Sequence, residues 1–231
     1  SAVITDTATG NATAENGTLH GNAAIVYDET LKSNVLKLDG SDDTYAEIPA
    51  GFFDKRNKMT ISMDVKSDMD SGNFFTFTYG KNSTFYNFLR VRGTEVRDAI
   101  TVSSYSAEQE VKGKGAATGT WQKVVIVVDG TKLKLYIDGS LVSENEKTQL
   151  TTTSLGENLL AYLGKSMYDG DSCFKGSFDN FKVYNRALGA DEILADVIDK
   201  LPLVKGATIG TVPENPDETM GTDTHTGIRT S

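Results

Sequence analysis

The chain is poor in the residues that several classes of protein chemistry need. It has one cysteine, Cys173, so no disulfide can form within it, and we interpret this residue as a small side chain at a strand edge. It has two histidines, His20 and His225. We recognise no Cys–His or Ser–His–Asp arrangement in the sequence, so nucleophilic catalysis has no support. No apolar run reaches membrane-spanning length, and no signal peptide is recognisable.

Positive charge is also in short supply. The 23 Lys and Arg residues are outnumbered by 32 Asp and Glu residues, which gives a formal net charge of −9. Phosphate backbones and anionic lipid surfaces repel such a chain, so we expect no nucleic-acid partner and no membrane insertion. A neutral glycan or a divalent cation is compatible with this charge.

What the chain does have is a succession of strand patterns. Residues 124–128 are all apolar and mostly β-branched, which is typical of a strand covered on both faces. Asp129 and Gly130 can turn the chain, because Gly accepts a positive φ and Asp tolerates it. Residues 132–138 then alternate strictly between polar and apolar side chains. The pattern predicts an antiparallel sheet with one face on a core.

One helix and one linker complete the predicted organisation. Asp191 and Glu192 suit the first turn of a helix, and residues 193, 194, 197 and 198 recur at helical spacing and should pack on the sheets. From Pro202 onward the chain is polar, contains three of the four prolines and shows no periodicity. We therefore predict one domain over 1–200, followed by a linker or the start of a further domain over 201–231.

Several spaced blocks of sequence occur in a recognisable order: Trp121 and the stretches 36–49, 136–139, 163–164 and 176–188. Together they resemble the laminin G-like domains of the concanavalin A-like lectin/glucanase superfamily, over roughly residues 5 to 195. The resemblance implies an all-β fold, an antiparallel two-sheet jelly-roll sandwich with one short C-terminal helix. This fold hosts lectins, polysaccharide-binding modules, adhesion domains and glycanases, so it does not by itself fix a function.

The function we predict is that of a non-catalytic carbohydrate-binding module. Glycanases of this fold carry closely spaced acids alternating along one strand, and the nearest candidates, Glu95 and Asp98, have the wrong parity. We expect a monomeric domain of a secreted or cell-surface glycoside hydrolase, with a glycan and neighbouring domains as its partners. An adhesion or spacer domain, marked by an exposed apolar patch, is the main alternative. A glycanase with an unrecognised acid pair is a third.

Sugar sites pair exposed aromatic rings with planar polar side chains. Tyrosines near loops are the candidate platforms, and two arginines that face away from Leu89 and Val91 could hold hydroxyls or a carboxylate. The predicted carbohydrate-binding residues are Tyr79, Tyr86, Arg90, Arg92, Tyr105 and Tyr168. The alternative for the arginines is a solvated face with salt bridges to the many acids.

The resemblance also implies a calcium ion near one sheet end, as in many members. It carries over to Asp179 on the last core strand and to Asp39 in an early loop. Asp179 shares the parity of Phe181 and Val183, and a carboxylate on an apolar face needs partners or cations. Loops supply the oxygens that calcium prefers. We therefore expect structural calcium at Asp39 and Asp179, with capping of backbone amides as the alternative for Asp179.

Overall fold

Two antiparallel sheets packed face to face make up most of the protein. The computed structural model describes residues 3–8, 15–198, 207–209 and 228–230. In spatial order the eight-stranded sheet contains β1 (Val3–Ile4), β2 (Gly17–His20), β5 (Tyr45–Ile48), β14 (Leu160–Leu163), β7 (Phe77–Asn82), β8 (Phe85–Arg92), β9 (Glu95–Thr101) and β10 (Gln109–Lys114). The seven-stranded sheet contains β13 (Ser140–Asn145), β12 (Lys132–Ile137), β11 (Trp121–Asp129), β6 (Lys58–Ser67), β15 (Lys175–Tyr184), β4 (Ser33–Asp39) and β3 (Ala24–Asp28).

The remaining described elements are short. They are a 3-10 helix (Thr152–Leu155), one α-helix, α1 (Ala190–Ile198), and two strands that pair only with each other, β16 (Ala207–Ile209) and β17 (Ile228–Thr230). None of the described helices has the length and apolar character that crossing a membrane requires. The all-β sandwich with one C-terminal helix is thus confirmed. Most of the predicted linker, 201–231, lies outside the described residues, and the predicted domain boundary at 200 stays a prediction.

The core forms between the sheets because each strand alternates its side chains. On β6, Met59, Ile61, Met63 and Val65 point inward and are at most 1% exposed. The strand β11 is buried on both faces, as its uninterrupted apolar run predicts. Its inward residues join the core between the sheets, and its outward residues lie beneath α1.

The helix α1 packs on the outer face of the seven-stranded sheet. Ile193 is its one buried residue and contacts the apolar cluster around Val125 and Tyr136, whereas Leu194 stays 43% exposed. At the start of the helix, Glu192 accepts hydrogen bonds from Arg186 and from the Gly189 amide. These contacts lower the pKa of Glu192 to about 2, the arginine being the larger cause. Among the helix residues that we predicted to pack on the sheets, Ile193 has the smallest exposed fraction.

A β-bulge in β15 overturns the parity we expected for Asp179. Asn180 adopts a left-handed conformation with φ of 49°, and the register with β6 shifts between Asp179 and Lys182. After the bulge Phe181 packs against the core, whereas Asp179 lies opposite Asp64 on the outer face. The extra residue places Asp179 and Phe181 on different faces. Asp179 is therefore not a carboxylate on the apolar face.

Candidate functional site

The outer face of the eight-stranded sheet carries most of the polar and aromatic side chains that could meet a ligand. A row of directly opposed residues crosses seven of its strands: Thr18, Glu47, Tyr162, Thr78, Phe88, Ala99 and Glu110. Two ends of this face differ in character. Near β8, β9 and β10 the protein's own side chains cover the sheet, whereas near β2, β5 and β14 aromatic rings stay partly exposed.

We define the tyrosine patch as His20, Tyr45, Glu47, Tyr162 and Lys165. The rings of His20 and Tyr45 stack with centroids 4.4 Å apart, and Tyr162 meets Tyr45 edge-on at 5.4 Å. The Lys165 ammonium lies 4.5 Å from the Tyr45 centroid and 5.5 Å from that of Tyr162. The patch therefore combines flat apolar faces with a cation held above them.

Strand alternation and strand order bring the patch together. Leu19, Ala46 and Leu163 point into the core, so their neighbours in sequence point outward. The register then places His20 opposite Tyr45 and Tyr162 opposite Glu47. These cross-strand neighbours come from segments more than a hundred residues apart at the extremes. Four of the five patch residues stand on three hydrogen-bonded strands, and Lys165 follows the end of β14.

Hydrogen-bonding groups surround the exposed rings. His20 Nε2 lies 2.8 Å from Glu47 Oε2, and both side chains are about one-third exposed. Lys165 pairs with no carboxylate in the part of the chain that the structure describes. Burial, followed by the charges of Glu47 and Tyr45, raises the pKa of Tyr162, so its hydroxyl stays a hydrogen-bond donor. The arrangement offers hydrogen-bond donors and acceptors around an apolar surface.

Two of the predicted sugar-binding tyrosines are inaccessible. Tyr79 points into the core, is 0% exposed and stacks on Phe53 at 4.7 Å. Tyr86 faces the outer side, but Phe75 and Tyr168 cover its ring and it too is 0% exposed. Its hydroxyl donates to Glu108 over 2.6 Å. Neither tyrosine can offer a ring face to a sugar, because other side chains of the protein cover both rings.

The two predicted arginines are held in salt bridges. Arg90 and Arg92 both face outward as expected, and both bind Glu95, at 2.6 Å and 3.3 Å. Neighbouring Arg97 binds Glu108 and also Glu110. The alternative that we left open, a face laced with salt bridges, describes these arginines. The carboxylates of Glu95, Glu108 and Glu110 here are paired with arginines.

The last two predicted tyrosines are accessible but stand apart. Tyr105 is 78% exposed on the hairpin between β9 and β10. Tyr168 is half-buried, with its hydroxyl 3.2 Å from that of Tyr86. The six predicted residues therefore do not form one surface. Sequence reasoning missed the tyrosine patch, although the alternation of Tyr45 and Glu47 around a small apolar residue, and that of Tyr162 beside Leu163, marks them as outward-facing.

The two predicted calcium ligands do not meet. Asp39 lies opposite Lys175, the first residue of β15. Asp179 follows Lys175 by four residues on that strand, which separates the two acids by roughly 13 Å. The carboxylate of Asp39 accepts hydrogen bonds from Ser41 and Asn22, which lower its pKa to about 2. Amide donors directed at a carboxylate do not suit a cation.

The other acid offers no cage either. Asp179 accepts a hydrogen bond from the Asn180 amide, the capping alternative that we left open. Among the described residues, no three His, Cys, Asp or Glu side chains are grouped as metal ligands. These residues do not fit a shared calcium site, and structural calcium stays an untested prediction.

Comparison with known proteins assigns the class. The chain belongs to the concanavalin A-like lectin/glucanases superfamily, since the Laminin_G_3 family model matches residues 39–194. The resemblance seen in the sequence is thus confirmed.

Particular relatives can also be named. An α-L-arabinofuranosidase from Bifidobacterium longum subsp. longum is 29% identical, over 89% of this chain and 21% of that protein. The chain therefore spans about one-fifth of the length of the curated relative that it matches.

Solved structures share the fold. Domain 4 of AbnA, a GH43 extracellular arabinanase from Geobacillus stearothermophilus in complex with arabinotriose, superposes with a TM-score of 0.63 at 21% identity, over 78% of this chain and 86% of that one. The binding domain of Paraclostridial Mosquitocidal Protein 1 superposes with a TM-score of 0.64 at 14% identity, over 80% of this chain and 47% of that one. At these identities the similarity shows the fold alone.

Proposed function

We propose that this domain is a non-catalytic carbohydrate-binding module that holds an arabinose-containing oligo- or polysaccharide on the tyrosine patch. The observation that carries the proposal is the pair of partly exposed rings, Tyr45 and Tyr162, with Lys165 above them. This lysine pairs with no carboxylate among the described residues. We further propose that the parent is a secreted or cell-surface glycoside hydrolase with several domains and that this domain is monomeric.

The chemistry of the patch suits a sugar better than a charged or wholly apolar ligand. A sugar presents an apolar C–H face edged by hydroxyls, and Tyr45 and Tyr162 meet at an interplanar angle of 82°. One ring can lie under the sugar while the other lines its edge. Hydrogen-bond donors and acceptors for the sugar hydroxyls are then supplied by Lys165, His20 and Glu47.

The relatives support the sugar class. One is an arabinofuranosidase, and the other is a domain solved with arabinotriose. An arabinose-containing glycan is therefore the first ligand to try.

The alternative, an adhesion domain that contacts protein, has weaker support. The exposed large apolar residues of the seven-stranded sheet divide between its two opposite edges, with Ile25 and Tyr27 on β3, and Leu141 and Val142 on β13. Two small separate groups do not make the contiguous apolar patch that a protein interface needs.

Affinity electrophoresis and calorimetric titration with arabinan and arabinotriose test the proposal. Tyr162→Ala removes one ring of the patch, and we expect it to weaken binding about tenfold, which corresponds to about 1.4 kcal/mol. Tyr105→Ala is the matched control, because it removes an exposed tyrosine that lies outside the patch, on the hairpin between β9 and β10. Equal affinity in the two variants, or no retention of the wild type on any polysaccharide tried, would contradict the proposal.

A further inference from the structure

A group of polar side chains lies inside the sandwich and, unlike the tyrosine patch, is fully buried. We define the buried polar cluster as Tyr79 on β7, Asn87 on β8, Asp98 on β9 and Thr152 in the 3-10 helix. Each of these four residues is 0% or 1% exposed. Their strand neighbours on the inward face, such as Leu89 and Ile100, belong to the hydrophobic core. An aspartate in this position costs free energy unless something compensates its charge.

Among the described residues, four oxygens of the cluster meet no partner in good hydrogen-bond geometry: Tyr79 Oη, Asn87 Oδ1, Asp98 Oδ1 and Thr152 Oγ1. Within the cluster, Asn87 Nδ2 donates a hydrogen bond to Asp98 Oδ2 at 2.9 Å, and the Thr152 hydroxyl lies close enough to that of Tyr79 to lower its pKa. Buried polar atoms in native proteins almost always find a partner, so four orphaned oxygens in one place call for an explanation. Water or an ion that these oxygens share would supply it.

The register and the electrostatics bring the four groups to one place. Tyr79 lies directly opposite Asn87, and Asp98 lies opposite Leu89, two residues further along β8. Side chains so related are direct or diagonal neighbours on one face of a sheet. The pKa of Tyr79 is raised mainly by burial and next by the charge of Asp98, and it is lowered by the Thr152 hydroxyl. The phenol therefore stands within reach of both groups.

In the described part of the chain, no cationic side chain pairs with Asp98 on its own side of the sheet. Arg97 is the charged group that acts on Asp98, and it lowers the pKa of that carboxyl. Its side chain points to the outer face, however, where it binds Glu108 and Glu110. On the inner face the polar groups toward Asp98 are Asn87 and Tyr79, which are neutral.

We propose that the buried polar cluster binds a small monovalent cation, Na⁺, through these four oxygens. A carboxylate, an amide carbonyl and two hydroxyls are all hard oxygen donors, which suit alkali and alkaline-earth cations. The single negative charge of the cluster matches a monovalent ion. The cation would neutralise Asp98 and give the oxygens of Asn87, Tyr79 and Thr152 their missing partner.

Thermal unfolding in sodium chloride and in choline chloride at equal ionic strength tests this proposal. Choline is too large for a closed core, so at pH 8 we expect the melting midpoint to rise with sodium concentration and not with choline. Asp98→Asn is expected to abolish the sodium effect at pH 8.

A matched pair of tyrosine variants tests the proposed ligands independently of Asp98. Tyr79→Phe removes one of the proposed ligands, and Tyr86→Phe removes a hydroxyl that is equally buried on the opposite face of the sheet. We expect only Tyr79→Phe to reduce the dependence of the midpoint on sodium. Identical midpoints for the wild type in both salts at pH 8 would overturn the proposal. A high-resolution crystal structure grown in sodium chloride that shows only water at these oxygens would also overturn it.

Discussion

Asp98→Asn should have a higher free energy of unfolding than the wild type at alkaline pH. This difference should disappear at acidic pH. Burial raises the pKa of Asp98 from 3.8 to about 7, although the Asn87 hydrogen bond and the charge of Arg97 oppose the shift. The folded protein therefore holds this proton more tightly than the unfolded chain does. The contribution of Asp98 to stability is complete below about pH 4 and is lost as pH rises through about 7.

The magnitude follows from the size of that shift. A change from 3.8 to about 7 is about 3 pH units, and at about 1.4 kcal/mol per unit it amounts to about 4 kcal/mol. This is an upper value, because a core site relaxes and admits water when it is charged. For a domain of this size, 2 to 4 kcal/mol corresponds to a shift in the melting midpoint of roughly 4 to 16 °C.

Urea unfolding in sodium-free buffers between pH 4.5 and 8 measures this effect. The free energy of unfolding of the wild type minus that of Asp98→Asn should fall as pH rises to about 7 and should level off above it. Taking the difference cancels the other carboxylates, such as Asp39 and Glu192, whose lowered pKa values affect both proteins alike. A difference that is constant with pH, or a variant less stable than the wild type at pH 8, would refute the reasoning.

Two further predictions concern the packing. Ile193→Ala should lower the free energy of unfolding by about 2 to 4 kcal/mol, because it removes the buried contact of α1, while Leu194→Ala at an exposed position should change it little. Gly164→Ala should cost more than Gly72→Ala in the same urea assay. Both glycines have positive φ, but only at Gly164 would the new Cβ come within 2.3 Å of Leu38 Cδ1. A smaller loss for Ile193→Ala than for Leu194→Ala, or equal losses for the two glycine variants, would count against this account of the packing.

Local patterns predicted the architecture because they act within single strands. The apolar run at 124–128 requires cover on both faces, and the structure supplies it with the core on one side and α1 on the other. The bulge at Asn180 was not predictable in this way. A one-residue shift leaves no mark in the alternation until the partner strand is known, and it moved Asp179 to the other face.

The candidate site was harder to predict than the fold because it depends on the order of the strands in space. Tyr45 and Tyr162 are 117 positions apart, and only the pairing of β5 with β14 brings their rings together. Exposure is equally non-local. Tyr86 occupies an outward position on its strand, yet Phe75 and Tyr168 cover it. Residue type therefore suggested tyrosines in general, and tertiary contacts decided which of them a ligand could reach.

The most direct test of the central claim is a residue-resolved NMR titration of the domain with arabinotriose. We predict saturable chemical-shift changes centred on β2, β5, β14 and Lys165, with the largest changes at Tyr45 and Tyr162. Shifts centred instead on the hairpin that carries Tyr105, or on the face beneath α1, would contradict the assignment of the tyrosine patch as the sugar site.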